Sequence, residues 1–195
     1  MKKGRLEAFS DGVMAIIITI MVLELKLPEH GNDLKSLIPM TPFLLSYALS
    51  FVNVGIYWNN HHHMFYLVNG ITGGVLWANL NLLFWLSLIP FGTEWMAENH
   101  FASVPIAVYG CILIMCGIAY TILARVLVSH CAKNSELAIA IGEDWKGKLS
   151  VVIYAIAVAL AFKWPLVSCA MYVVVACMWF IPDRRIEKKV IHREE

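Results

Sequence analysis

Long apolar runs, separated by short polar segments, are the main pattern of this chain. A helix that crosses the hydrocarbon core of a bilayer needs about 20 mostly apolar residues, and several runs reach that length. The pattern predicts an all-α integral membrane protein with six transmembrane helices per chain. The predicted spans run from about 5–27, 38–59, 71–93, 103–128, 149–163 and 165–182.

Composition supports the membrane class. Of 195 residues, 59% are apolar and 15% are charged, whereas a soluble domain is nearer about half apolar and a quarter charged. The net charge of +1 gives no basis for nucleic-acid binding. The five cysteines are odd in number and form no CxxC pair, so we expect free thiols. We expect residues 1–195 to form a single transmembrane domain, with the lipid bilayer as a partner and no separate soluble domain.

Lysine and arginine predict the orientation. Of the 15 basic residues, all but Lys26, Lys35 and Lys163 fall on one side of the six predicted spans. Cytoplasmic loops of membrane proteins carry the excess of lysine and arginine. The sequence therefore predicts a multi-pass protein of the plasma membrane with both termini in the cytoplasm.

The first span has polar groups at its entrance. Arg5 and the triplet Phe9-Ser10-Asp11 precede a run without charge that extends to Leu23. At about 100° per residue, seven positions fall on one stripe, named here the first-helix stripe. It comprises Phe9, Gly12, Ile16, Thr19, Ile20, Leu23 and Leu27. A stripe that faces lipid or the protein core gives the same periodicity as one that lines an ion path.

If the first-helix stripe lines a pore, its chemistry is specific. Copies of Ile16 would form an apolar ring that closes the path by dewetting, and Ile20 and Leu23 would add further narrow layers. Copies of Thr19 would supply neutral oxygen ligands for a partly dehydrated monovalent cation. Such a ring favours potassium over sodium only modestly. The alternative for Thr19 is a hydroxyl that bonds to a carbonyl one turn earlier.

Asp11 needs a partner if it lies in an apolar setting. Candidates are Arg5, Ser10 and His61, since the second span should end on the same side as Asp11. His61, His62 and His63 are consecutive, but adjacent helical residues point about 100° apart and do not converge on one ion. We therefore expect one buried, paired histidine, no cofactor and no metal site other than permeating K⁺ near Thr19 and Ile16.

Three motifs carry a resemblance to a known family. They are Arg5-x-x-x-Phe9-Ser10-Asp11, Trp58-x-x-His61 followed by Phe65, and Leu80-Asn81-Leu82-Leu83-Phe84 leading to Pro90-Phe91. In this order they resemble the prokaryotic branch of the transmembrane protein 175 potassium channels, whose animal members are endosomal and lysosomal. The resemblance covers essentially the whole chain. It implies a prokaryotic homotetramer in which the first helix of each chain lines the pore.

The resemblance also implies residue roles. The family's constricting isoleucine falls on Ile16, its pore threonine on Thr19, and its deeper apolar layers on Ile20 and Leu23. The motif residues that hold the helices together correspond to Arg5, Phe9, Ser10, Asp11 and His61. The implied function is a potassium channel that is weakly selective for K⁺ over Na⁺. Animal members also pass protons, and the resemblance leaves open whether this chain does.

Other functions remain as alternatives. A secondary or proton-coupled transporter would use Asp11 and His61 as a proton relay, although no internal repeat of the kind common in transporters is visible. A structural membrane protein is a further possibility. An enzyme is not expected, because the sequence contains no HExxH, Walker A or Gly-x-Ser-x-Gly motif.

Overall fold

A computed structural model describes residues 3–25, 33–68, 70–129 and 145–180. In these ranges every regular element is helical. The elements are α1 (Lys3–Leu23), a 3₁₀ helix (Leu34–Met40), α2 (Thr41–Tyr66), α3 (Gly73–Leu86), α4 (Ile89–Glu98), α5 (Ser103–Ser129), α6 (Trp145–Ala161) and α7 (Pro165–Phe180). The predicted all-α membrane fold is confirmed, and the helices agree with six predicted spans.

Four segments of the described chain are long and apolar enough to cross a membrane. They are Lys3–Leu23, Leu34–Tyr66, Gly73–Glu98 and Ser103–Ser129, while Pro165–Phe180 is a shorter apolar helix. The third span is made of two helices, α3 and α4, because Pro90 in the first turn of α4 has no N–H to continue the α3 ladder. Leu27, the last position of the first-helix stripe, lies outside the described residues.

Helix α5 is the centre of the bundle, and it packs against α3, α4, α6 and α7. The contact with α7 is close at Gly110, where an added Cβ would overlap the hydroxyl of Tyr172. That hydroxyl donates a hydrogen bond to the carbonyl oxygen of Ile106 at 3.0 Å. The tyrosine is therefore fixed, and only glycine leaves room for it.

Helix α1 lies at the edge of this bundle, against α2, α3 and α4. Its buried face consists of Leu6, Ser10, Met14, Ile17 and Met21. Spacings of three and four residues place these side chains on one side of a helix. The opposite side of α1 has no cover from the rest of the described chain, and this arrangement defines the candidate site.

Candidate ion pathway on the first helix

The first-helix stripe is the uncovered face of α1. Ile16 is 58% exposed and Leu23 is 77% exposed, and Phe9 and Ile20 are also exposed. Gly12 and Thr19 are exposed between them. Apolar side chains of this size need lipid or another protein chain against them. The structure thus excludes a packing role for the stripe within the described part of one chain.

The stripe forms successive layers along the helix axis. A rise of about 1.5 Å per residue places Ile20 about 6 Å from Ile16, and Leu23 about 10 Å from it. Thr19 lies between the two isoleucines along the axis. From Gly12 to Leu23 the helix carries no charged side chain. Any ion beside this face would therefore meet apolar side chains and the hydroxyl of Thr19.

The hydroxyl of Thr19 donates a hydrogen bond to the carbonyl oxygen of Ile16 at 3.0 Å. This is the bond that the sequence offers as the alternative to a role in the pore. The bond uses the only proton of the hydroxyl, so the oxygen of this exposed side chain remains an acceptor. An oxygen whose proton is turned toward the backbone is suited to ligate a cation. The bond to the Ile16 carbonyl and a role of Thr19 as a cation ligand are therefore compatible.

Ser10, Asn79 and His61 form a buried hydrogen-bond chain, called here the polar bridge. The amide nitrogen of Asn79 donates to Oγ of Ser10 at 2.9 Å, and Nε2 of His61 lies 2.8 Å from Oδ1 of Asn79. All three side chains are buried. Since Oδ1 is an acceptor, His61 carries its proton on Nε2. The polar bridge joins α1 to α3 and α3 to α2, and so fixes the orientation of α1 near its N-terminus.

Asp11 and His61 are not hydrogen-bonded to each other in the described chain. Nε1 of Trp58 donates a hydrogen bond to Oδ1 of Asp11 at 3.0 Å, at an exposed position. The expected pairing of Asp11 with Ser10, His61 or Arg5 is therefore not found. The reason is helical geometry, because Ser10 and Asp11 point about 100° apart, so that Ser10 faces the core and Asp11 faces outward beside α2.

The two other side chains of the first-helix motif also face outward. Arg5 and Phe9 are exposed on α1, and no ion pair joins Arg5 to Asp11 among the described residues. His61 is buried against Phe65 with ring centroids 4.4 Å apart, whereas the ring of His62 lies 6.1 Å from that of Trp58 and 5.8 Å from that of His63. No group of three side chains that could hold a metal ion occurs among the described residues.

The sequence interpretation missed two groups of residues. One is Asn79, the centre of the polar bridge. The other is a hydroxyl cluster of Ser50, Thr93 and Tyr109, in which Ser50 Oγ lies 2.6 Å from Thr93 Oγ1 and 2.9 Å from the Tyr109 hydroxyl. It joins α2, α4 and α5. A polar stripe on α2, formed by Ser46, Ser50 and Asn53 at spacings of four and three, was the available signal.

Comparisons with known proteins agree with the resemblance. A family model described as the endosomal/lysosomal potassium channel TMEM175 matches residues 5–90. A protein named a potassium channel from Chryseobacterium sp. (strain P1-3) is 54% identical over 190 residues, 97% of this chain and 98% of that protein. An endosomal/lysosomal proton channel TMEM175 from Gallus gallus is 32% identical over 109 residues, 50% of this chain and 22% of that protein.

A solved structure is similar over most of the chain. It is the crystal structure of a lysosomal potassium-selective channel TMEM175 homolog from Chamaesiphon minutus. The TM-score is 0.79 at 32% sequence identity, and the match covers 92% of this chain and 96% of that chain. The candidate pathway and the polar bridge both lie within residues 5–90, the part that the family model also matches.

Proposed function

Because the chain belongs to the TMEM175 family of potassium channels, we propose that it conducts K⁺ through a homotetrameric pore lined by α1. The observation that carries this proposal is the uncovered face of α1. Its side chains are apolar and uncharged, apart from the Thr19 hydroxyl, and nothing in the described chain covers them. A pore lined by one helix per chain needs several copies, and these copies supply the missing cover.

In this proposal Ile16 forms the narrowest ring, and Ile20 and Leu23 form further apolar layers. A hydrophobic constriction excludes water when it is narrow, and it thereby stops ion passage without a moving plug. Thr19 supplies the oxygens that replace part of the hydration shell of K⁺. Neutral hydroxyls in a flexible ring discriminate only weakly between K⁺ and Na⁺. The permeating ion is the only bound species that the proposed function requires.

The membrane placement follows the distribution of basic residues. The chain is a multi-pass membrane protein, and its relatives are named channels rather than enzymes. We place it in the plasma membrane of a prokaryote with both termini in the cytoplasm, because twelve of the 15 basic residues then lie inside. The polar bridge and the entrance motif of α1 are consequently at the cytoplasmic end of the pore.

The geometry gives no support to the transporter alternative. A relay between Asp11 and His61 needs the two groups within hydrogen-bond reach of each other or of shared water. Instead, Asp11 bonds to Trp58, and His61 bonds to Asn79. Proton permeation through the same pore is a separate question. A pH-sensitive dye enclosed in liposomes that contain the protein would measure it.

The direct test is ion flux into liposomes that contain the purified chain. Wild type should pass K⁺ faster than Na⁺, and Ile16→Asn should increase the flux of both by roughly tenfold or more, since a polar ring stays hydrated. Val22→Asn is the matched control, because Val22 is also exposed on α1 but lies off the first-helix stripe. Equal effects of the two substitutions, or no K⁺ flux in wild type, would contradict the proposal.

A further inference from the structure

Helix α2 has an unpartnered face beside the first-helix stripe. It consists of Leu44, Ala48, Phe51, Gly55 and Trp58, at spacings of four, three, four and three residues, and is called here the α2 seam. Such spacings place all five residues on one side of a helix. Leu44, Phe51 and Trp58 are large and exposed, so the rest of the described chain leaves this side of α2 open.

Side-chain size alternates along the α2 seam. The three large side chains are seven residues apart, and Ala48 and Gly55 separate them. A Cβ added at Gly55 would meet nothing in the described chain within 4 Å beyond its own helix backbone. Large side chains beside open small positions are the knobs and holes by which helices interlock, and small residues let transmembrane helices approach closely. Mobile lipid chains require no such alternation, so the α2 seam has the form of a surface that packs on another helix.

The α2 seam adjoins the uncovered face of α1. Trp58 donates its hydrogen bond to Asp11 at 3.0 Å, and both side chains are exposed, so α2 borders that face directly. In the proposed pore, copies of α1 surround an axis, and a closed ring of this kind uses two different surfaces of each chain, one for each neighbour. A copy that covers α1 on the side of Trp58 therefore reaches α2. This continuity identifies the occupant of the α2 seam as a second copy of the chain.

The complementary surface lies on the third span. Its members are exposed side chains of α3 and α4, called here the aromatic face: Trp77, Leu80, Phe84 and Phe91. Its three aromatic residues are seven residues apart, the spacing of the large residues in the α2 seam. Helix α3 meets α1 at Ser10, whereas α2 meets it at Asp11. Adjacent residues point about 100° apart, so α2 and α3 lie against different sides of α1, as the two contact surfaces of a ring require.

The two surfaces match in depth. The hydrogen bond between His61 and Asn79 at 2.8 Å places these two residues at one level. Gly55 lies about 9 Å from His61 along α2, and Phe84 lies about 8 Å from Asn79 along α3, in the same direction across the membrane. Copies related by an axis along the membrane normal keep their depth. Phe84 of one copy therefore lies close to the level of the open position at Gly55 of the next copy.

We propose that, in the homotetramer proposed above, on which this contact depends, the α2 seam of each chain packs against the aromatic face of the next chain, with Phe84 inserted at Gly55. The occupant of the seam is a second copy of the chain, not lipid. The contact closes the space between neighbouring copies outside the ring of α1 helices. Ions then have a continuous path only along the first-helix stripe.

Disulfide formation tests this pairing. In a background without the five native cysteines, a chain that carries both Gly55→Cys and Phe84→Cys should give linked dimers, trimers and tetramers on oxidation in membranes, and the series should end at four chains. Each substitution alone should give at least about tenfold less linked product, because disulfides need Cα atoms within about 7 Å. Gly55→Cys with Val174→Cys is the matched control, since Val174 is exposed on α7, outside the aromatic face. No linked series from the Gly55 and Phe84 pair, or a series that continues beyond four chains, would overturn the proposal.

A second variant tests the open position. Gly55→Leu should fill it and reduce the mass of the purified protein below that of four chains, as measured by size-exclusion chromatography with light scattering. The chain itself should still fold, because the added Cβ has free space around it. Leu45→Phe adds bulk at an exposed position of α2 off the seam and should leave the mass unchanged. A Gly55→Leu protein with the mass of four chains would place Gly55 outside the contact and overturn the proposal.

Failure of this contact and failure of the proposed channel give different results. Ile16→Cys in the same background reports whether pore helices meet at the axis. Disulfide-linked Ile16→Cys chains without a linked series from the Gly55 and Phe84 pair would retain the channel assembly and remove this contact. Absence of both products, with a wild-type mass of one chain, would contradict the assembly itself.

Discussion

At the scale of the residue, the geometry of Thr19 allows one side chain both to bond to its own helix and, in the proposed pore, to ligate the ion. Its proton is used in the bond to the Ile16 carbonyl at 3.0 Å, while its oxygen faces outward from an exposed position. The bond fixes the rotamer, so the oxygen is held ready to ligate a cation. Ordered oxygens ligate a cation with less loss of conformational entropy than mobile ones.

The first prediction concerns this hydroxyl. Thr19→Val keeps the shape of the side chain and removes the oxygen, so the permeability ratio of K⁺ to Na⁺ should fall toward one. Thr19→Ser keeps the oxygen and should retain most of the ratio. Reversal potentials in planar bilayers under bi-ionic conditions measure this permeability ratio. An unchanged ratio in Thr19→Val would remove the hydroxyl from the selectivity mechanism.

The second prediction concerns Asn79, which bonds to both Ser10 and His61. Asn79→Leu removes the partner of the buried Nε2 of His61, with a loss of about 1–3 kcal/mol, whereas the Ser10 hydroxyl keeps its bond to the Leu6 carbonyl. The temperature at which the purified protein loses its monodisperse peak should drop by several degrees. Asn81→Leu is the matched control on the same helix, since Asn81 is outside the polar bridge. Equal stability of the two variants would show that the polar bridge does not stabilise the folded protein.

The sequence could predict the residues whose position depends on helical periodicity alone. Ile16, Thr19, Ile20 and Leu23 were assigned to one face by their spacing, and the structure places that face uncovered. Asn79 was not predictable, because periodicity does not distinguish it from Asn81 and only the packing of three helices gives it two partners. Trp58, the partner of Asp11 within one chain, was not among the expected partners, because the sequence pattern does not show which residue of α2 lies beside Asp11.

At the scale of the element, helix packing in this bundle depends on small residues. Lipid tails are as apolar as the helices, so close van der Waals contact and hydrogen bonds provide the attraction between helices. Gly110 lets α5 approach α7 closely enough for Tyr172 to bond to the Ile106 carbonyl. A β-carbon at this position would force the two helices apart or displace the tyrosine.

The third prediction is a comparison of two glycines on α5. Gly110→Ala should destabilise the protein by about 1–3 kcal/mol through overpacking, because its Cβ would lie 2.6 Å from Val158 as well as overlap Tyr172. Gly117→Ala should have little effect, since its nearest contacts are at 3.6 Å or more. The midpoint of thermal unfolding, measured by size-exclusion chromatography of heated samples, compares the stability of the two variants. Similar midpoints would show that the α5–α7 contact relaxes without loss.

Element boundaries were predicted to within a few residues where apolar runs end at polar residues, as for α5. The break between α3 and α4 was not predicted, although Pro90 was noted near the end of the third span. A proline inside a transmembrane segment is compatible with a kink or with a full break. Which of these occurs depends on the neighbouring helices, which the local sequence does not describe.

At the scale of the whole molecule, the decisive fact is that the described part of one chain leaves the outer face of α1 uncovered. The buried face of α1 packs on α2, α3 and α4, while the opposite face presents Ile16, Ile20 and Leu23 outward. If that face met only lipid, its order of apolar layers with a single hydroxyl would have no consequence for ions. If it meets copies of itself, each layer becomes a ring around the symmetry axis.

The fourth prediction distinguishes these two environments by cross-linking. Residues on a closed symmetry axis meet their own copies, and a disulfide forms only when Cα atoms lie within about 7 Å. In a background without the five native cysteines, Ile16→Cys and Leu23→Cys should give disulfide-linked dimers on oxidation. Ile16→Cys should react more completely, because Ile16 forms the narrowest ring in the proposed pore. Non-reducing gels of membranes that contain the protein give the measurement.

Val174→Cys is the control for that experiment, since Val174 is also exposed but lies on α7, away from α1. It should stay monomeric under the same oxidation, because peripheral side chains that face lipid meet their copies only by collision. Water-soluble thiol reagents give an independent readout, as a hydrated path admits them to Leu23→Cys and lipid does not. Monomers in all three variants, with no labelling by the reagent, would place the first-helix stripe against lipid and leave the pore without its lining.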